Sequence, residues 1–479
     1  MKLPDYEQHD GVALARLVAA GELTARELVE AAFDRIDARE PAIGALVRRL
    51  EARAYAAADA VRPGASALAG VPTLLKDLGV ALEGVPTGNG TRHLQAVPAG
   101  FTSTLVQRLI DAGLPLLGQT NTAQLGLTFT TEPRDLHPTR NPWDRGRSAG
   151  GSSGGAAAAV AAGYVPLAHA SDGGGSIRMP ASVCGLVGLK PSRGRVPLGP
   201  RIGEAWSGLA TNLVVSRSVR DTAAALDLMA GWEPGDPYAA PAPERPFLQE
   251  VGRDPGRLRI ALVRDFSEDH PSESACRAAV EDAARLLQDL GHDVEEAAPQ
   301  FDRASYRWAF GELVAGHTLD EVDGIAAEVL GRAPQPGDFE PATEAIAELA
   351  RGFGPLTHIR ARSHLQRVAR TVGRFLTRYD LMLSPTLAKP PLPLGAIDLG
   401  TDDAMALLEQ LLSFSPFTAL ANATGEPAIS LPLHWSDAGL PIGAMLHAPL
   451  GGEATLLRVA AQCETARPWF HRRPDGLEA

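Results

Sequence analysis

Cysteine is scarce in this chain. Cys184, Cys276 and Cys463 stand far apart, are odd in number and form no CxxC pair. That excludes a zinc ribbon and a disulfide framework and points to a reducing, cytoplasmic setting. Basic charge is short as well: the formal net charge is −12, which speaks against a nucleic-acid surface and a polybasic membrane anchor. No apolar run approaches the roughly 18 residues of a spanning helix. The first residues, MKLPDYEQHDG, carry acids and no apolar stretch, unlike a secretory signal. The 12 histidines include no HxH or HxxxH pair, so no metal site is expected. Aromatic residues make up only 5%, so the core must be largely aliphatic and alanine-built.

What is present is ordinary for a folded soluble protein: 479 residues, 45% hydrophobic and 21% charged. Residues 24–38 predict an amphipathic helix, with Thr24 and Glu27 as a capping box. A second helix is expected over 44–60, a buried strand within 70–80, a helix over 103–113 and a strand over 115–120. An alanine-rich helix over 155–163 precedes a strand over 164–170. This alternation predicts an α/β fold. Residues 231–256 carry six prolines and read as a surface excursion, or as a domain boundary, before a further β–α–β passage from 257. Residues 303–378 read as mostly helical.

The chemistry concentrates in GGSSGG (150–155) and SDGGGS (171–176). If the strand after the first loop runs back along its helix, the two loops meet, bringing Ser152 and Ser153 near Ser176. Three successive glycines leave backbone N–H groups uncovered, a nest suited to a developing oxyanion. A serine hydroxyl needs a base. Lys76, in TLLKD, ends an apolar strand, and burial there would lower its pKa toward about 7–8. Taken singly, each feature has a plainer reading. Ser152 or Ser153 could simply cap the following helix, Lys76 could pair with Asp77 or another acid, and His169 reads as a packing residue. GSSGG matches G-x-S-x-G, but no strand leads into it, and neither loop has the Lys-Ser/Thr ending of a phosphate loop.

Taken together, GVPTLLKD, RNPWDRGRSAGGSSGG and ASDGGGSIRMPASVCGLVGLKPSRGRVP resemble the amidase signature family. Looser similarity extends over YDLMLSPTLAKPP, ATGEPAISLP and GLPIGAML. The resemblance implies one α/β/α domain over 1–479 around a large mixed sheet covered by helices on both faces. A helical segment (about 1–62), a catalytic core (about 66–230) and a pocket region (about 257–440) would make it up. It also implies a Ser-Ser-Lys triad, with Ser176 as nucleophile, Ser152 as a bridging serine usually held by a cis peptide, and Lys76 as base. The N–H groups of Gly173, Gly174, Gly175 and Ser176 would form the oxyanion hole. Ser153, Asp172 and Arg178 would support the loops.

The expected partner is a small-molecule amide, with no nucleic acid, membrane, metal or cofactor; a homodimer is compatible with the reading. Glutamine-using amidotransferase subunits of this family carry an Asp seven residues before the residue matching Asn422. Ser415 stands there, which favours simple amide hydrolysis over transamidation with a partner protein. Further stretches are similar to the branch acting on small linear or cyclic amides, with aryl amides and carbamates as alternatives. Trp308, Phe310, Phe414 and Phe417 are the candidates for the pocket wall; each could equally be core.

Overall fold

In a computed structural model, which describes residues 6–477, thirteen strands and fourteen α-helices assemble around one large mixed sheet. The first three strands are β1 (Leu46–Arg49), β2 (Thr73–Lys76) and β3 (Leu116–Thr120). They form a small sheet of order β1-β3-β2 in which β2 and β3 are parallel. A hairpin follows, β4 (Arg140–Asn141) and β5 (Asp144–Ser148). The remaining strands are β6 (Leu167–Asp172), β7 (Val187–Lys190), β8 (Thr211–Ser216), β9 (Arg259–Leu262), β10 (Asp293–Glu296), β11 (Leu381–Pro385), β12 (Ala428–Trp435) and β13 (Pro441–His447). They build an eight-stranded sheet of order β10-β9-β11-β13-β12-β7-β8-β6. Only the β10–β9 and β9–β11 pairs are parallel. The Pro-rich excursion therefore separates stretches of chain that share this one sheet.

Two expectations change at the N-terminal end. The capped helix starts at Ala25, with the Thr24–Glu27 capping box formed, and runs on to Ile43 with Pro41 in its last turn. Gly44, at φ 66°, ends it. Residues 44–60 are not one helix. Leu46–Arg49 pair with β3, and the helix begins only at Glu51. The Glu40 carboxylate accepts the N–H groups of Ala45 and Leu46 and turns the chain into that pairing, so tertiary contacts override local propensity.

The helix Gly154–Ala161 is buried at every residue. A helix that is apolar all round belongs inside a protein, and small side chains let its neighbours approach closely. A Cβ on Gly155 would lie 2.5 Å from the backbone of Asn121, at the end of β3. The helix therefore sits against the end of β3, beside the end of β2, and returns into β6. Thr73 Oγ1 donates to Leu167 O, and the Lys76 N–H donates to His169 Nδ1. These two bonds dock β2 on β6 and bring three chain segments to one point.

Candidate active site

Strand β6 runs two residues further than expected, through Ser171 and Asp172, and this sets the local geometry. Alternate side chains of a strand face opposite ways. His169 and Ser171 face Lys76, whereas Asp172 faces the helix Arg178–Cys184 and Asn422. One strand thus serves two clusters.

On the first face, Lys76 Nζ lies 2.7 Å from Ser152 Oγ and 2.9 Å from Ser171 Oγ. Lys76 is fully buried and, among the described residues, forms no salt bridge. Burial pushes its pKa down to about 7, with the Asp172 charge opposing part of the shift. The alternative partner is occupied elsewhere: the Asp77 carboxylate accepts Gly88 N at 2.7 Å, and burial raises its pKa to about 6. Burial alone does not mark a base. Lys190 is equally buried and also lowered to about 7, but its Nζ donates to the Pro191 carbonyl. His169 is held neutral, lowered to about 3 by burial, with Nε2 3.2 Å from Asn212 Oδ1; it is a packing residue that also receives the Lys76 N–H.

The two loop serines have different tasks. The Gly151–Ser152 peptide is cis, and Ser152 O accepts from Thr122 Oγ1 at 2.9 Å. Ser153 precedes the buried helix without capping it through its side chain. Its hydroxyl instead donates to Ser171 O at 3.1 Å and lies 3.3 Å from Ser171 N, tying the loop to β6.

On the second face, Asp172 and Arg178 form a fully buried bidentate pair, Nε–Oδ2 2.9 Å and Nη2–Oδ1 2.8 Å. Burial acts to raise the Asp172 pKa, but the Arg178 charge and hydrogen bonds outweigh it and hold the carboxyl at about 2. Asn422 completes the cluster, donating to both Asp172 O and Asp172 Oδ1. Between these anchors run Gly173, Gly174, Gly175 and Ser176. Among the described residues the N–H groups of Gly174, Gly175 and Ser176 meet no protein acceptor. Ser176 Oγ likewise makes no hydrogen bond there, although Ser176 is almost buried. Hydrogen bonds of this kind often close only with substrate in place.

Ser176 and Gly174 open into a cavity of about 270 Å³. Its wall is mainly apolar, with Leu127, Phe129, Trp206, Phe310, Val314 and Leu411 contributing. Of the four aromatic candidates, Trp308 and Phe310 are on this wall. Phe414 and Phe417 are not. Phe414 is packed in the main core, and Phe417 meets Phe266 edge to face at 6.0 Å in a second core cluster. Their segment does reach the cavity, but through Ser415, Pro416 and Ala419. The sequence reading missed Ser171, which touches Lys76, and Trp206, whose ring covers Gly173; Ser171 was legible only once β6 was extended by two residues. Among the described residues no cluster of three or more His, Cys, Asp or Glu could hold a metal ion, and all three cysteines are buried and free. No helix among the described residues is long and apolar enough to cross a membrane.

The sequence and the fold place the chain in one class, the hydrolases of amide bonds. The amidase family model matches residues 27–457, and the chain belongs to that family. It is 38% identical to a 6-aminohexanoate-cyclic-dimer hydrolase of Paenarthrobacter ureafaciens, over 98% of this chain and 97% of the relative. The solved structure of a 6-aminohexanoate cyclic dimer hydrolase with its substrate superimposes with a TM-score of 0.93 at 37% identity, covering 99% of this chain and all of the other. A bacterial aryl acylamidase follows at TM-score 0.85 and 28% identity, with 98% of each chain covered.

Proposed function

We propose that this enzyme hydrolyses small, uncharged, linear or cyclic amides through an acyl-enzyme on Ser176. The observation that carries the reading is the 2.7 Å contact of Lys76 Nζ with Ser152 Oγ, beside a cavity that ends at Ser176. With a pKa near 7, Lys76 is substantially neutral at physiological pH and can accept a proton. Ser152 gives its proton to Lys76 and takes that of Ser176, whose oxygen bonds to the amide carbon. The negative charge that develops on the carbonyl oxygen is met by the free N–H groups of the glycine loop. When the C–N bond breaks, the proton returns along the same path to the leaving amine. Water then repeats the sequence on the acyl ester and frees the acid and Ser176.

The apolar wall favours acyl groups without charge. The aromatic rings on it, Phe129, Trp206 and Phe310 among them, support aryl amides or carbamates as a second reading. Glutamine use has less support, since Ser415 offers no carboxylate and its hydroxyl lies 2.8 Å from Thr418 Oγ1. The test is a panel of linear, cyclic and aryl amides, carbamates and glutamine, run with the purified chain alone. Turnover of simple amides without ammonia release from glutamine supports the proposal. Activity that appears only with a partner protein overturns it. A fluorophosphonate should label the wild type and Ser153→Ala but not Ser176→Ala.

A further inference from the structure

The glycine loop can stabilise an oxyanion only if its N–H groups face the cavity, and glycines do not hold an orientation by themselves. In a trans peptide the N–H points opposite to the carbonyl of the same unit. The carbonyls therefore report where the donors point, and two of them are anchored. Gly175 O accepts the N–H of Met179 at 2.8 Å, which aims the Ser176 N–H. Gly174 O accepts from Thr418 Oγ1 at 2.6 Å, which aims the Gly175 N–H. Thr418 is fully buried and stands behind the loop, off the cavity wall, while Gly174 and Ser176 are on it.

Thr418 has one hydroxyl proton. If Gly174 O takes it, the 2.8 Å contact with Ser415 Oγ must be a bond that Ser415 donates. Thr418 is fixed from its other side too, because Arg178 Nη1 donates to Thr418 O at 2.7 Å. The loop fits this clamp closely. Gly175 has φ 135°, and a Cβ there would lie 2.3 Å from Thr418 Oγ1, so glycine is required by conformation and by contact.

We propose that Thr418 is a positioning residue for the oxyanion hole: its hydroxyl, oriented by Ser415, holds the Gly174–Gly175 peptide so that the Gly175 N–H faces the reacting carbonyl. This rests on the reading of the loop as the oxyanion site of a Ser176 acyl-enzyme. It also gives Ser415, the position where glutamine-using relatives carry an acid, a part in the site.

The experiment compares wild type, Thr418→Val, Thr418→Ser, Ser415→Ala and Ser176→Ala. Each is assayed for single-turnover acylation by an amide the enzyme cleaves, for KM, and for inhibition by a trifluoromethyl ketone, which forms a tetrahedral adduct. Thr418→Val should slow acylation by about 10- to 100-fold and weaken the ketone by a similar factor, with KM within about two-fold. Thr418→Ser should restore most of the rate, and Ser415→Ala should lose a few-fold. Thr418→Val acylating within about two-fold of wild type would overturn the inference. So would a loss that falls on KM instead, or one that Thr418→Ser does not repair. Ser176→Ala separates the two levels: if it still turns over, the acyl-enzyme reading fails; if it is inactive while Thr418→Val is unimpaired, only the role of Thr418 fails.

Discussion

Lys76 Nζ and Ser152 Oγ stand 2.7 Å apart in a site where both residues are buried and, among the described residues, no carboxylate pairs with the amine. A lysine is rarely left so, because burying an ammonium without a counter-charge is costly. Burial lowers the Lys76 pKa to about 7, so the amine gives up its proton far more readily than an exposed lysine does. Its partners are hydroxyls, Ser152 and Ser171, which can donate to a neutral amine as readily as accept from a charged one. The same contacts thus suit the amine in either protonation state.

The first prediction is a pH profile. A base must be unprotonated to act, so kcat/KM should be low in acid, rise through about pH 7 and level off above it, following the lowered Lys76 pKa. Lys76→Ala should lose roughly 10²- to 10⁴-fold in kcat at neutral pH and lose that limb of the profile. A variant that keeps wild-type rates at pH 7 would remove Lys76 from the mechanism.

A second prediction concerns Ser171. With its hydroxyl 2.9 Å from Lys76 Nζ, it fixes the amine against Ser152. Ser171→Ala should lower kcat by about ten-fold while fluorophosphonate still labels Ser176, and should cost about 1 kcal/mol of stability for the lost bond. Stopped-flow labelling and denaturant unfolding report the two effects separately. An unchanged kcat would reduce Ser171 to packing.

Ser171 also shows where the sequence was readable and where it was not. Lys76, Ser152 and Ser176 could be singled out from residue type, glycine context and family resemblance, because nearby motifs carry them. The α/β alternation was equally visible. Leu46–Arg49 was misread as helix because its strand exists only through pairing with β3, some seventy residues away. For Phe414 and Phe417 the sequence left wall and core both open, and the structure places their rings in core clusters. Phe417 and Ser415 lie in the connection between the helices Ala404–Phe414 and Ala419–Thr424, and aromatic content does not encode which residues of such a turn reach the cavity. Here the small residues Ser415 and Ala419 face the cavity.

The third prediction is about the buried Asp172–Arg178 pair, which anchors the loop at both ends. Breaking a buried pair by removing one partner costs about 3–5 kcal/mol. Asp172→Asn should therefore lower the unfolding midpoint strongly and abolish activity, because the glycine loop loses its mount. The sign with pH is fixed as well. The Asp172 pKa falls from 3.8 to about 2 on folding. Its contribution is complete above pH 3.8 and is lost as the pH falls toward 2. Denaturant midpoints measured between those limits should slope less steeply in Asp172→Asn than in wild type.

The fourth prediction separates wall from core among the four aromatic candidates. A Cβ on Gly174 would sit 3.5 Å from Phe310 Cζ, so this ring limits the space beside the reacting carbonyl. Phe310→Ala should shift kcat/KM toward bulkier acyl groups, by about ten-fold or more for a branched or aryl acyl group relative to acetyl. Trp308 lies at the mouth with 46% of its surface exposed, and Trp308→Ala should change that ratio by only a few-fold. Phe414→Ala and Phe417→Ala should behave differently from both. Each deletes a ring from a packed core, so each should cost about 3–5 kcal/mol of stability and leave the acyl preference nearly as it was. An acyl-chain series run beside thermal unfolding of all four variants tests the division. A specificity change in Phe414→Ala or Phe417→Ala at least as large as that in Phe310→Ala would place the wall elsewhere.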